Sequence, residues 1–202
     1  MHMRKILLSL AAVFLAASAS AQMKFVDRGA NVYYRFSLSG QISPVEKTDS
    51  YVTTNDEATC ILESRSFTGT TPNTQGQYGY EYRITLNGNG TGSNVVKVSS
   101  LTLKFPDPQF FSYGLTSSNQ VWIVGSDTGI VPSGADQSDN KVTFDFSPPI
   151  TLTPSDQGTN TCLFGMVSYS GPQITTAILA GSTKGPTNGV VDFTAELQAQ
   201  TP

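Results

Sequence analysis

Short runs in which apolar and polar residues alternate constrain this chain more than any other feature, because a period of two fits a strand and no helix. Val142, Phe144 and Phe146 alternate with Lys141, Thr143, Asp145 and Ser147. Val191, Phe193, Ala195 and Leu197 repeat the pattern against Asp192, Thr194 and Glu196. Val121 to Val124 is apolar on both parities, as expected of a central strand covered on both faces. Further strands are expected near 31–39, 59–67, 78–86, 95–105, 161–169 and 175–180. No window beyond residue 21 sustains a helical period, so the chain reads as all-β. Inside 95–105 the parity breaks: Val96 and Val98 share one face, whereas Leu101, Leu103 and Phe105 fall on the other. A β-bulge at Ser99-Ser100 restores a single buried row.

About ten such strands need a second layer, since a single open sheet leaves one apolar face in water. The expected architecture is a two-sheet antiparallel β-sandwich, immunoglobulin-like or jelly-roll, with a closed β-barrel as the alternative. The polar, breaker-rich stretches 68–77, 87–94, 126–140, 153–160 and 183–189 are read as loops, and none as an interdomain linker. Asn87-Gly-Asn-Gly-Thr-Gly-Ser-Asn94 is glycine-rich but lies between two strands, so it lacks the helix N-terminus of a phosphate loop and is read as a hairpin connection.

The first 21 residues set the compartment. Arg4 and Lys5 form a basic start, 6–17 form an apolar run too short to span a bilayer, and Ala19-Ser20-Ala21 has the small residues of a cleavage site. Residues 1–21 are therefore expected to be a secretory signal peptide and 22–202 a single β-sandwich domain, secreted or periplasmic, with no membrane anchor. His2, the one histidine, leaves with that segment. A mature chain without imidazole excludes Ser-His-Asp triads, Cys-His pairs and histidine-bound metal. Loss of Arg4 and Lys5 leaves ten basic residues against fifteen acidic ones, which argues against nucleic acid as a partner. Cys60 and Cys162 are the two cysteines, and in an oxidising compartment a structural disulfide between them is expected.

Three groups of residues could carry chemistry. Tyr78, Tyr80 and Tyr82 fall at i, i+2 and i+4, one row of phenols on one strand face. Ile84 and Leu86 continue that row, so core packing is the first reading and a sugar-stacking ligand platform the second. Phe110, Phe111 and Tyr113 form another aromatic cluster, read as packing or loop anchoring. Asp127, Asp136, Asp139 and Asn140 offer oxygen ligands that would suit calcium, although they do not match the Asp-x-Asp-x-Asp-Gly loop and read first as a solvated turn. No other cofactor is expected. Glu63, Glu81, Glu196, Asp145 and Asp192 are the strand-borne acids from which a glycosidase would draw its carboxylate pair, but no spacing singles out two of them.

By exclusion, the sequence points to a non-enzymatic β-sandwich with a binding or structural role, at the cell surface or on extracellular carbohydrate, its partner a carbohydrate or another surface protein. A histidine-free glycoside hydrolase using two carboxylates is one alternative. The other is a surface-assembly subunit completed by strand addition.

Overall fold

A computed structural model describes residues 21–22, 24–27, 36–38, 48–51, 58–69, 75–88, 95–106, 108–109, 120–123, 128–184 and 189–202. These residues form fifteen strands: β1 (Ala21–Gln22), β2 (Lys24–Asp27), β3 (Phe36–Leu38), β4 (Thr48–Tyr51), β5 (Ala58–Gly69), β6 (Tyr78–Gly88), β7 (Val96–Lys104), β8 (Pro108–Gln109), β9 (Gln120–Ile123), β10 (Gly134–Ser138), β11 (Lys141–Leu152), β12 (Gly158–Asn160), β13 (Phe164–Ser168), β14 (Gln173–Lys184) and β15 (Val190–Thr201). They build two sheets. The first has the order β1-β10-β11-β7-β14-β15, and the second β2-β9-β13-β6-β5-β3, with β12 also on β6, β4 also on β5 and β8 also on β13. Pairing is antiparallel except where β2 runs parallel to β9.

The alternation read from the sequence is the cause of this layering. Val96, Val98, Leu101 and Leu103 of β7, Val142, Phe144 and Phe146 of β11, and Ala177 and Leu179 of β14 turn inward from the first sheet. Cys60 and Leu62 of β5, Tyr80 to Leu86 in alternation on β6, and Phe164 and Met166 of β13 meet them from the second. Phe164 sits at the centre, its ring 4.8 Å from that of Phe144, 6.1 Å from Tyr82 and 6.2 Å from Phe146. The β7 bulge lies where the parity break requires it. Ala180 and Gly181 of β14 are consecutive, yet they pair with Ser100 and Val98, leaving Ser99 as the extra residue.

The sandwich is not closed into a barrel. β15 approaches β5 and β6, but side chains take the positions where a ladder would continue: the Gln200 N–H donates to Ser64 Oγ, and the Tyr82 hydroxyl donates to the Gln200 carbonyl at 2.9 Å. The hairpin expected across 87–94 is not formed, because β6, which includes Asn87 and Gly88, and β7 belong to different sheets; residues 89–94 lie outside the described residues.

The disulfide expected between Cys60 and Cys162 is not formed, although both residues are buried. Cys60 lies on β5 opposite Leu86 of β6, whereas Cys162 follows Thr161, which bonds to Ile84 from the far side of β6. Two ladder steps of about 4.8 Å separate them before any offset along the strands is added, beyond the reach of a disulfide. Cys60 is on β5 and Cys162 lies between β12 and β13, which pair with the other side of β6, so β6 stands between the two cysteines.

Candidate functional site: a polar trough on the outer face of the second sheet

The outward row of β5 faces the outward row of β6 residue for residue: Phe67 opposite Gly79, Arg65 opposite Glu81, Glu63 opposite Arg83 and Ile61 opposite Thr85. Its two halves differ in character. In the lower half the face is covered: Glu81 is 0% exposed, Phe67 1% and Trp122 2%. A carboxylate there needs a partner, and Arg65 Nε lies 2.6 Å from Glu81 Oε2 while its guanidinium sits 5.6 Å from the centre of the Phe67 ring.

In the upper half the same face opens into a trough of about 430 Å³, within the size range of small-molecule sites. Ile61 and Glu63 of β5 line it from one side, Arg83, Thr85 and Asn87 of β6 form its floor, and β12 with Asn160 forms the opposite side. β12 is held in place by its ladder to β6 and by the Gly88 N–H donating to the Gln157 carbonyl. Gly158 suits this position because a side chain there would press on Asn87 Oδ1 at 3.0 Å and the Leu86 carbonyl at 3.2 Å. The turn before β12 is Thr153-Pro-Ser-Asp156, closed by the Asp156 N–H donating to the Thr153 carbonyl. Thr153 returns two bonds, from its N–H and its hydroxyl, to Asp156 Oδ2. These bonds hold the Asp156 carboxyl below its ordinary range.

Glu63 and Arg83 face each other in the trough at 3.7 Å, both part-exposed, a separation beyond direct hydrogen bonding. Their charges cancel, and the remaining polar groups are hydroxyls and amides. Asn160 donates its Nδ2 to the carbonyls of Thr128 and Thr161, which leaves its side-chain oxygen as an acceptor. The trough therefore combines donors and acceptors with no net charge.

The tyrosine row lies on the opposite face of β6. Tyr80 and Tyr82 are fully buried and donate to the carbonyls of Ser170 and Gln200, while Tyr78 at the strand start is part-exposed. Burial is the main cause pushing both phenols up from their ordinary range, with Tyr78 adding to Tyr80 and Tyr80 to Tyr82. Rings packed in the core have no face to offer a sugar.

Of the oxygen-rich group, Asp136 is on β10 opposite Thr143, in a stretch read from sequence as loop. Asp139 and Asn140 form the tight β10–β11 turn, with Asp139 at φ +52°, and Asp127 lies outside the described residues, as do Phe110, Phe111 and Tyr113. Among the described residues no group of three His, Cys, Asp or Glu side chains could hold a metal ion. The strand-borne acids are dispersed. Asp145 lies on β11, where burial and then Asp136 push its carboxyl up, and Asp192 and Glu196 are on β15. Glu63 and Glu81 are diagonal neighbours, but only Glu63 reaches the trough. The parity of Glu81 was legible, its burial was not. Phe67 on the same parity was the signal that this half of the face is covered.

No protein-family model matches the chain, and no curated protein matches it. A crystal structure of a protein named ApaA from Bordetella pertussis superposes with a TM-score of 0.38 at 15% identity, covering 79% of this chain and 98% of the other.

Proposed function

We propose that this chain is an exported binding protein that takes a neutral, polyhydroxylated ligand of the oligosaccharide class in the trough between β5, β6 and β12. The observation that carries this reading is the compensated lining, in which Glu63 offsets Arg83 beside Thr85, Asn87 and Asn160. Hydroxyl groups both donate and accept, so a polyol can satisfy all of these groups at once. An anion would meet Glu63, and a cation Arg83. The reading is non-enzymatic: a carboxylate pair flanking a glycosidic bond needs two accessible acids, and Glu81, the acid diagonal to Glu63 in the ladder, is buried and bound by Arg65.

An immobilised panel of neutral, sulfated and uronic-acid oligosaccharides tests it. Retention of neutral glycans, weakened about tenfold by Asn87→Ala or Glu63→Gln, is the expected result. Preferential retention of the anionic glycans would contradict it. Turnover of any glycan, abolished by Glu63→Gln, would favour the hydrolase instead.

A further inference from the structure

β15 ends its sheet. β14 pairs with one edge along all twelve residues, from Gln173 opposite Thr201 to Lys184 opposite Val190, and among the described residues no strand pairs with the other edge. Gln200 reveals which backbone groups face that second edge, since its N–H bonds to Ser64 and its carbonyl to Tyr82, both on the opposite sheet. In an antiparallel strand these groups alternate between the partner side and the open side. The β14–β15 register is unbroken, so the N–H and C=O groups of Asp192, Thr194 and Glu196 point the same way as those of Gln200. Ser64 and Tyr82 close the C-terminal end of the edge. The N-terminal part is open: Asp192, Thr194 and Glu196 are exposed, and Val191 is 50% exposed although it shares the core-side row of Phe193, Ala195 and Leu197.

We propose that this edge takes up an extended segment of a partner protein in which apolar and basic residues alternate, adding a seventh strand to the six-stranded sheet. Its apolar residues would cover Val191 and Phe193 on the core side. Its basic residues would sit on the outer side against Asp192 and Glu196, neither of which forms an ion pair among the described residues. A second copy of the chain fits poorly, because self-pairing centred on Thr194 sets Asp192 directly opposite Glu196 of the other copy, twice. The same carboxylates guard the edge against that self-pairing. This surface is on the other sheet from the trough and stands independently of it.

The test uses two synthetic peptides, one alternating valine with lysine and one alternating valine with glutamate, titrated into the full chain with calorimetry and amide hydrogen exchange as readouts. The lysine peptide should bind and slow exchange at Asp192, Thr194 and Glu196. Thr194→Pro removes an N–H on the open side while leaving the β14 ladder intact, and should weaken binding about tenfold or more. The double variant Asp192→Lys, Glu196→Lys should exchange the preference for the glutamate peptide, and it decides alone should Thr194→Pro fail to fold. Equal binding of both peptides by the wild type, protection confined to another surface, or no change of preference in the charge-reversed variant would overturn the proposal. So would a wild-type dimer in sedimentation that Thr194→Pro dissolves, since the edge would then belong to a second copy.

Discussion

Individual residues here are chosen as often for what they leave out as for what they contact. Gly165 lies on β13 between Glu81 of β6 and Trp122 of β9, and a Cβ at that position would stand 2.0 Å from the Tyr80 carbonyl and 2.7 Å from the Trp122 ring. Gly165→Ala should therefore cost about 3 kcal/mol, the upper part of the range for overpacking, as measured by urea unfolding. Ser64 and Tyr82 test the opposite case, a contact supplied. Ser64→Ala and Tyr82→Phe should each cost about 1 kcal/mol, and because both bond to Gln200 their effects should be non-additive in a double-mutant cycle. The buried phenols also set an alkaline limit. With pKa values raised by burial, Tyr80 and Tyr82 contribute stability that is complete below the unfolded value near pH 10 and is lost as pH rises toward their folded values. A spectrophotometric titration should show these two tyrosines ionising only as the protein unfolds.

At the scale of elements, legibility followed periodicity. β5, β6, β7, β11, β14 and β15 each carry several apolar residues at alternate positions, and all were readable, including the bulge at Ser99, because a buried row cannot change parity without an inserted residue. β10 and β12 were not: Gly134-Ala-Asp-Gln-Ser138 and Gly158-Thr-Asn160 have almost no apolar alternation and are strands only because a neighbouring ladder recruits them. The trough was hidden for the same reason, since β12 supplies one of its sides. Its geometry depends on the turn at Thr153–Asp156, where the lowered Asp156 pKa gives a stabilising contribution that is present above the unfolded carboxylate range and lost as pH falls through the folded value. Protection factors of the amides at Gly158–Asn160, corrected for the intrinsic pH dependence of exchange, should fall on acidification through that range, and Asp156→Ala should lower them in the same way at neutral pH.

For the whole molecule, amino-acid pattern specified two layers but not which strand joins which layer. The sequence places Cys60 and Cys162 about a hundred residues apart, yet only the sheet order puts them on the two sides of β6 and removes the expected bridge. Strand parity, legible from Ile84 and Leu86, turns Tyr80 and Tyr82 into the core, and the opposite parity puts Arg83 and Asn87 of β6 and Glu63 of β5 on the outer face. That outer face is the proposed ligand-binding surface. Titration of the isotope-labelled full chain with a neutral oligosaccharide retained on the panel, followed by backbone amide shifts, tests it most directly. Shifts concentrated at 61–63, 83–87 and 158–160 are predicted; shifts centred on any other surface, with those amides unmoved, would contradict it.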